Sequence, residues 1–478
     1  MTLAPKPNNP VQTSTIESMD GTTRTTHYFR PLRSVGVLLT LSLAAMFAPR
    51  NTRAAQDQVV TGTNRGASSI RIAVPDFKPL AADPQSGTLK QTFDKTLFSD
   101  LQNAGIFDLV SKSMIPPGSP GAPSEMHAVD YAAAPANASF VGFGSLGLVG
   151  GRLVANGFLF DTKNAQFPQV LAKQYSEEPS EEMARQVAHR FADEIIRTLG
   201  GGTVGIAETK IYYIHAAGGN KEIWQMDYDG ANQHAVTHLG TISLSPRISP
   251  DNTRLAFASL GKNGFQIRMY SLVLNRTVAF PEVGGTNISP AWAPDGRQVA
   301  YSSSRTGDPE IWISDPSGAD PRRVTSFRGP DASPVFNPKS GAQIAWISGR
   351  TGLPQLYIMN SDGSNVQPMT DGGYATSPSW SPNGQAIAFA WNRKYGPGAP
   401  GGQDIYVMEL ATKKWIQLTH DSGTCDFPSW SPDGRHIVYS CSPNGGTERS
   451  RIWTMLADGT QRHAITAAGA DMPNWSWK

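Results

Sequence analysis

Charge is scarce in this chain, and cysteine scarcer. Only 17% of its 478 residues are Asp, Glu, Lys or Arg, and 41 basic against 39 acidic residues leave a formal charge of +2. A nucleic-acid binder needs a basic face, which this balance does not supply. Two cysteines are too few for a disulfide scaffold and form no Cys-x-x-Cys. There is also no His-Glu-x-x-His, no P-loop and no dinucleotide fingerprint. The nearest approach to a nucleophile elbow, Gly142-Phe-Gly-Ser145-Leu-Gly, has Phe143 where Gly is required, and reads as a Gly-rich strand or turn. The nine His are scattered without metal-ligand spacing, and His436, beside a turn, reads as a solvent-exposed polar group. No apolar run reaches the roughly 20 residues of a membrane helix.

The longest such run lies near the start. Arg30 and Arg33 precede Val35–Ala48, and Thr52-Arg53-Ala54-Ala55 follows. A charged flank, a short apolar stretch and small residues at its exit describe a secretory signal peptide, cut near Ala54 or Ala55. The alternative is an uncleaved N-terminal anchor. Residues 1–53 hold six basic and two acidic residues, so the remainder carries about −2. A polar extension precedes the leader, and the mature protein is expected outside the cytoplasm.

Gly (47), Pro (36) and Trp (11) are abundant, which suits short strands joined by tight turns. The second half repeats. Pro246-Arg-Ile-Ser-Pro-Asp-Asn, Pro290-Ala-Trp-Ala-Pro-Asp-Gly, Pro334-Val-Phe-Asn-Pro-Lys-Ser, Pro378-Ser-Trp-Ser-Pro-Asn-Gly and Pro428-Ser-Trp-Ser-Pro-Asp-Gly are copies of one block, and Pro473-Asn-Trp-Ser-Trp is a truncated sixth. The intervals are 44, 44, 44, 50 and 45 residues. Each unit reads as four strands: the block with its large apolar residue, an apolar triplet such as Val299-Ala-Tyr301, an alternating strand such as Ile311-Trp-Ile313, and a fourth ending in Thr325, Thr370, Thr419 or Thr466. Four strands in about 44 residues make a propeller blade. Ile211–Val236 supplies a second, third and fourth strand with no first, and Pro473–Trp477 a first strand with nothing after it. Joined, they complete a sixth blade. The repeated Asp251, Asp295 and Asp433 read as turn-formers.

The expected organisation is a leader over residues 1–55, a small α/β domain over 56–202 and a six-bladed β-propeller over 203–478. In the α/β domain, Ile70–Phe77 reads as a strand. Leu89, Phe93, Leu97 and Leu101 predict a helix over 88–104. Strands are expected within 139–160 and 167–176, with a turn at Gly150-Gly151. Ser180 caps a second helix whose stripe is Met183, Val187, Phe191, Ile195 and Leu199. Ser113–Ala138, rich in Pro, Gly and Ala, is expected as an exposed loop.

Cys425 and Cys441 flank a hairpin turn at Pro432–Arg435 and fall opposite or one place off, so they form either a disulfide or two small buried hydrophobes. The loops entering each innermost strand gather at one channel mouth: Thr241–Ser245, Thr286–Ser289, Arg328–Ser333, Tyr374–Ser377, Thr424–Phe427 and Gly469–Met472. Their mixture of Thr, Asn, Arg, Tyr and Asp suits polar recognition, with Thr424, Asp426 and Asp471 among the candidates. A divalent cation held by Asp331, Asp426 and Asp471 stays open, and no other cofactor is expected. Arg305-Thr-Gly and Arg350-Thr-Gly, in the loops between second and third strands, either bind a partner carboxylate or tie adjacent blades together.

The Ser-Pro-x-Trp-Ser-Pro-Asp-Gly repeats after a small α/β domain and a leader resemble the TolB family of the Tol–Pal envelope system. So do the junction Gly205–Ile214 and the turn Asp227-Tyr-Asp-Gly-Ala-Asn232. The resemblance spans about residues 68–478. It implies a non-enzymatic periplasmic protein that binds the lipoprotein Pal at the channel mouth, through Thr286, Asn287, Arg328, Asp331, Tyr374 and Thr376. It also implies that the mature start, about Ala55 to Ser68, meets TolA, that other outer-membrane proteins are potential partners, and that the role is outer-membrane integrity during cell division. Membranes are met only through these partners. The long extension, the 113–138 stretch and the Cys pair depart from the family pattern. The rival readings are a propeller enzyme, peptidase-associated or lyase- or lactonase-like, and an envelope scaffold with another partner.

Overall fold

The computed structural model describes residues 69–81, 84–396, 402–420, 422–443 and 449–477. The leader and the segment Ala55–Ser68 lie outside the described residues.

Six four-stranded antiparallel sheets make up the C-terminal part. Their innermost strands are Ser243–Ile248, Asn287–Trp292, Asp331–Phe336, Tyr374–Trp380, Thr424–Trp430 and Ala470–Trp475. Neighbouring inner strands pack on one another all the way round, the last against the first. The sixth sheet is built from both ends of the propeller chain: Ala470–Trp475 pairs antiparallel with Lys210–Ala217, Trp475 opposite Ile211. We refer to the sheets as blades one to five from Ser243 onward, and to this last as the closing blade. A single blade is apolar on both faces and is stable only between neighbours. Side chains of adjacent blades accordingly share clusters, as where Trp380, Phe389 and Trp391 meet Ala345 and Ile347.

In five of the six blades a threonine after the fourth strand is a clasp. Thr325 Oγ1 accepts the Ile311 N–H at 2.9 Å and donates to Glu310 at 2.6 Å. Thr370 with Leu356 and Gln355, Thr419 with Ile405 and Asp404, and Thr237 with Ile223 and Glu222 repeat the arrangement. One hydroxyl thus satisfies two buried groups at the start of the third strand. Burial raises the Glu310 carboxyl above its ordinary value, with Thr325 opposing that shift.

The preceding domain is a mixed sheet in which Phe140–Val149 is central, with two helices on one face. The first helix runs Pro84–Asn103, four residues earlier than its periodicity suggests, and buries Leu89, Phe93, Leu97 and Leu101. The second, Glu181–Leu199, begins where the Ser180 hydroxyl accepts the Met183 N–H. Val187, Phe191 and Ile195 are fully buried, whereas Met183 and Leu199 at the ends of the stripe are only half-buried. Glycine lets this helix approach the sheet: a Cβ on Gly157 would stand 2.6 Å from the Phe191 ring.

Three expectations are corrected. The first strand covers only Ile70–Ala73. The stretch 113–138 is largely exposed but is more than a free loop: it lies over the other face of the sheet, burying Tyr131, Ala136 and Ala138 against Val141, Phe143 and Phe160. His436 is buried too, its Nδ1 3.1 Å from Asp433 and its Nε2 2.7 Å from the Asn103 carbonyl. Cys425 and Cys441 stand directly opposite each other and are bonded, with Cα atoms 4.0 Å apart.

His436 belongs to the seam between the two parts. Asp100 of the first helix accepts from the Tyr228 hydroxyl at 2.6 Å and pairs with His189 at 2.7 Å, and Arg185 pairs with Asp229. The α/β domain therefore sits on the turns Asp227–Gly230 and Pro432–His436, which lie at the end of the ring where the inner strands finish.

Two substitutions test this packing. Gly157→Ala should destabilise the protein by about 1–3 kcal/mol through overpacking, measured by urea unfolding, and Phe191→Leu should recover part of the loss. Thr325→Val should cost about 1–3 kcal/mol because the Glu310 carboxyl and the Ile311 N–H both lose their partner. A neutral result for either would contradict the assigned contact.

Candidate functional site: the open mouth of the channel

The wall of the channel is set by one recurring distortion. Ser245, Ser289, Ser333, Ser377, Phe427 and Met472 all have positive φ, between 48° and 54°, and each directly precedes the proline of its block. The pairing slips by one residue at each site: Leu244 faces Ala258, but Arg247 faces Ala256. These are β-bulges. The proline that follows has no N–H, so the interrupted ladder loses no donor there. Positive φ at a non-glycine residue costs of order 1–3 kcal/mol and persists only where its surroundings over-determine it. Six copies at the same place make the bulge part of the repeat itself.

The residues before the bulges form the mouth-side layer: Leu244, Ile288, Ala332, Thr376, Asp426 and Asp471. One arc of it is apolar and the other acidic. Asp426 accepts from the Thr376 hydroxyl of the neighbouring blade at 3.1 Å and from its own next N–H, that of Phe427, at 2.7 Å. Gln403 donates to Thr376 at 3.0 Å. Burial raises the Asp426 carboxyl to about 6 against these hydrogen bonds, with the Asp471 charge adding to the rise.

The other sequence-derived candidates separate into two groups. Thr286 and Arg328 are exposed on the rim, Thr424 is half-buried, and half-buried Tyr374 packs its ring 5.1 Å from that of Tyr395. Asn287 and Asp331 are instead withdrawn from the surface. Asn287 donates to Gln266 at 3.0 Å and to the carbonyls of Val283 and Gly285 at 3.2 Å. Asp331 is fully buried and accepts from Arg350 at 3.3 Å. Both hold their loops in shape and cannot touch a partner directly. Among the described residues no three His, Cys, Asp or Glu side chains converge as metal ligands, and Asp331 stands apart from the acidic arc.

Arg305 is occupied within its own blade, whereas Arg350 also reaches the connection from the preceding blade. The Arg305 guanidinium lies 4.0 Å from the Trp312 ring, and Arg350 lies 4.9 Å from Tyr357 and 5.1 Å from Phe327. Arg393 repeats the position over Trp415 at 4.1 Å. Sequence reading missed the apolar part of this face. Leu239, Leu260, Phe327, Leu353 and Tyr395 are exposed on its loops, Phe327 by 55% and Tyr395 by 50%. A large apolar residue inside a Gly-rich hairpin or loop was the available signal.

Residues 199–478 match a family model described as the TolB beta propeller domain, and residues 59–167 match one described as the TolB amino-terminal domain. A "Protein TolB homolog" of Chlorobium luteolum is 30% identical over 312 residues, covering 64% of this chain and 68% of that protein. A "Tol-Pal system protein TolB" of Desulfosudis oleivorans is 32% identical over 292 residues, covering 60% and 65%. The fold resembles the crystal structure of TolB from Acinetobacter baumannii, with a TM-score of 0.71 over 86% of this chain and 97% of that one at 23% identity.

A carboxyl whose pKa is higher folded (about 6) than unfolded (3.8) binds its proton more tightly in the folded state. Its contribution is therefore favourable at low pH and is lost as pH rises from about 4 to about 6. Asp426→Asn should accordingly be more stable than the parent at pH 7.5, by about 1–2 kcal/mol, with the gap closing by pH 4. A constant gap across that range would show that Asp426 is not desolvated.

Proposed function

The chain belongs to the TolB family, and from that premise we propose that it is a non-enzymatic, periplasmic protein-binding component of the Tol–Pal system, holding Pal at the open mouth of its propeller. What carries the reading is the asymmetry of the ring. The α/β domain occupies the end where the inner strands finish, against Asp229 and His436. Among the described residues no domain covers the end where they begin, and there a polar arc, the Arg328 side chain and five exposed apolar residues share one face. Exposed aromatic and apolar side chains set beside polar groups have the composition of a protein interface. Phe327 and Tyr395 serve as its anchors, since aromatic residues dominate interface energetics, and Arg350 fixes Phe327 by standing over its ring.

The mature start, about Ala55 to Ser68, contacts TolA, and the two contacts together keep the outer membrane attached during division. Catalysis is not part of this reading. The channel acids Asp426 and Asp471 accept hydrogen bonds from backbone N–H groups, and Asp331 is paired with an arginine. A leader of the kind present at Val35–Ala48 accounts for export; among the described residues no helix is long and apolar enough to cross a membrane.

Titration of the purified protein with the soluble domain of its own organism's Pal, by calorimetry, tests the proposal. Binding should be saturable, and Phe327→Ala or Tyr395→Ala should weaken it by about tenfold or more. Surface changes on the opposite end, such as His463→Ala, should leave it unchanged. No binding at tens of micromolar would remove Pal as the partner and leave the fold untouched.

A further inference from the structure

The other end of the channel is chemically different. A cavity of about 310 Å³ opens there, walled by Trp292, Phe336, Trp380, Trp430, Trp475 and Trp477. Within this aromatic ring, Arg247 is the one charged side chain among the lining residues. Its hydrogen-bond partner is a carbonyl of its own neighbour: Nη1 donates to Pro246 O at 2.9 Å. No carboxylate forms an ion pair with it among the described residues, and burial pushes its guanidinium down to about 10. Arg247 is half-buried in this wall, so part of its hydration is lost with no counter-charge in its place.

The repeat indicates that folding does not require this charge. Arg247 pairs with Ala256 one step beyond the bulge, and the residues in the same register of the other blades are Ala291, Val335, Ser379, Ser429 and Asn474. Five neutral side chains of varied size fill equivalent places. The propeller tolerates Arg247 as an exception, so the unpaired charge calls for an explanation outside the fold.

We propose that this cavity binds a small amphipathic anion, its carboxylate or sulfonate on Arg247 and its apolar body between the indole rings. The volume stands at the small end of the range of about 300–1,000 Å³ typical of ligand pockets, so a compact molecule fits better than a polypeptide. An anion supplies the missing counter-charge in surroundings that strengthen a charged hydrogen bond, and flat aromatic walls favour a flat apolar body. Val204, in the segment joining the two domains, also lines the cavity. An occupied site therefore abuts the interdomain connection. The site lies at the opposite end from the Pal face, and the proposal does not depend on that reading.

Two fluorescent probes of similar shape test it. 8-Anilinonaphthalene-1-sulfonate carries the anion, and N-phenyl-1-naphthylamine lacks it. The purified protein should bind the sulfonate tighter by about tenfold or more, with quenching of tryptophan emission at saturation. Arg247→Met, neutral like its five counterparts, should abolish the preference, and Arg247→Lys should retain most of it. Equal affinity of the parent protein for the two probes would overturn the proposal without recourse to any variant. So would an undiminished preference in Arg247→Met.

Discussion

The pairing of Ala470–Trp475 with Lys210–Ala217 is the interaction on which the molecule depends. It unites segments separated by about 260 positions in sequence. Each blade exposes two apolar faces, so the stack has no stable length other than a closed one. All six inner strands carry the same bulge. Each inner strand must bend where the ring narrows, and the distorted residue carries positive φ whether it is serine, phenylalanine or methionine.

A closed ring has two ends, and here they are chemically unlike. At one, the α/β domain is held by buried polar contacts: Asp100 with Tyr228 and His189, and the Asn103 carbonyl with His436. Such contacts need exact partners, which fixes how the helices sit on the turns. At the other, no domain covers the loops among the described residues, and they are held from within. Asn287 and Asp331 are buried beneath them, and three successive arginines lie over aromatic rings at the hairpins. The surface left over combines rigid backbone with exposed aromatic residues, a combination that lowers the ordering cost of binding.

The blades were legible in the sequence because the block recurs at nearly constant spacing and its large apolar residue always occupies the same strand. Closure followed from counting strands at the two ends. The threonines ending the fourth strands were visible too, although their clasping role needs a partner about 15 residues earlier, which spacing alone does not identify. Burial of loop residues was harder to see. Asn287 and Asp331 look like their exposed neighbours Thr286 and Arg328, and the difference lies in hairpin groups such as Gln266 and Arg350, some 20 residues away. His436 was misread because a turn at a blade's edge is solvent-exposed unless another domain lands on it. The 113–138 stretch has no periodicity, so nothing local announces that Tyr131 covers the sheet.

The inequivalence of the two ends is the core of this account, and hydrogen exchange in the presence and absence of the Pal soluble domain measures it directly. Slowed exchange should be confined to the inner-strand approaches near 286–289, 326–333, 374–377 and 424–427 and to the hairpin holding Tyr395. The turns Asp227–Gly230 and Pro432–His436 should exchange as before. Protection centred on those two turns, with the mouth unaffected, would contradict the account.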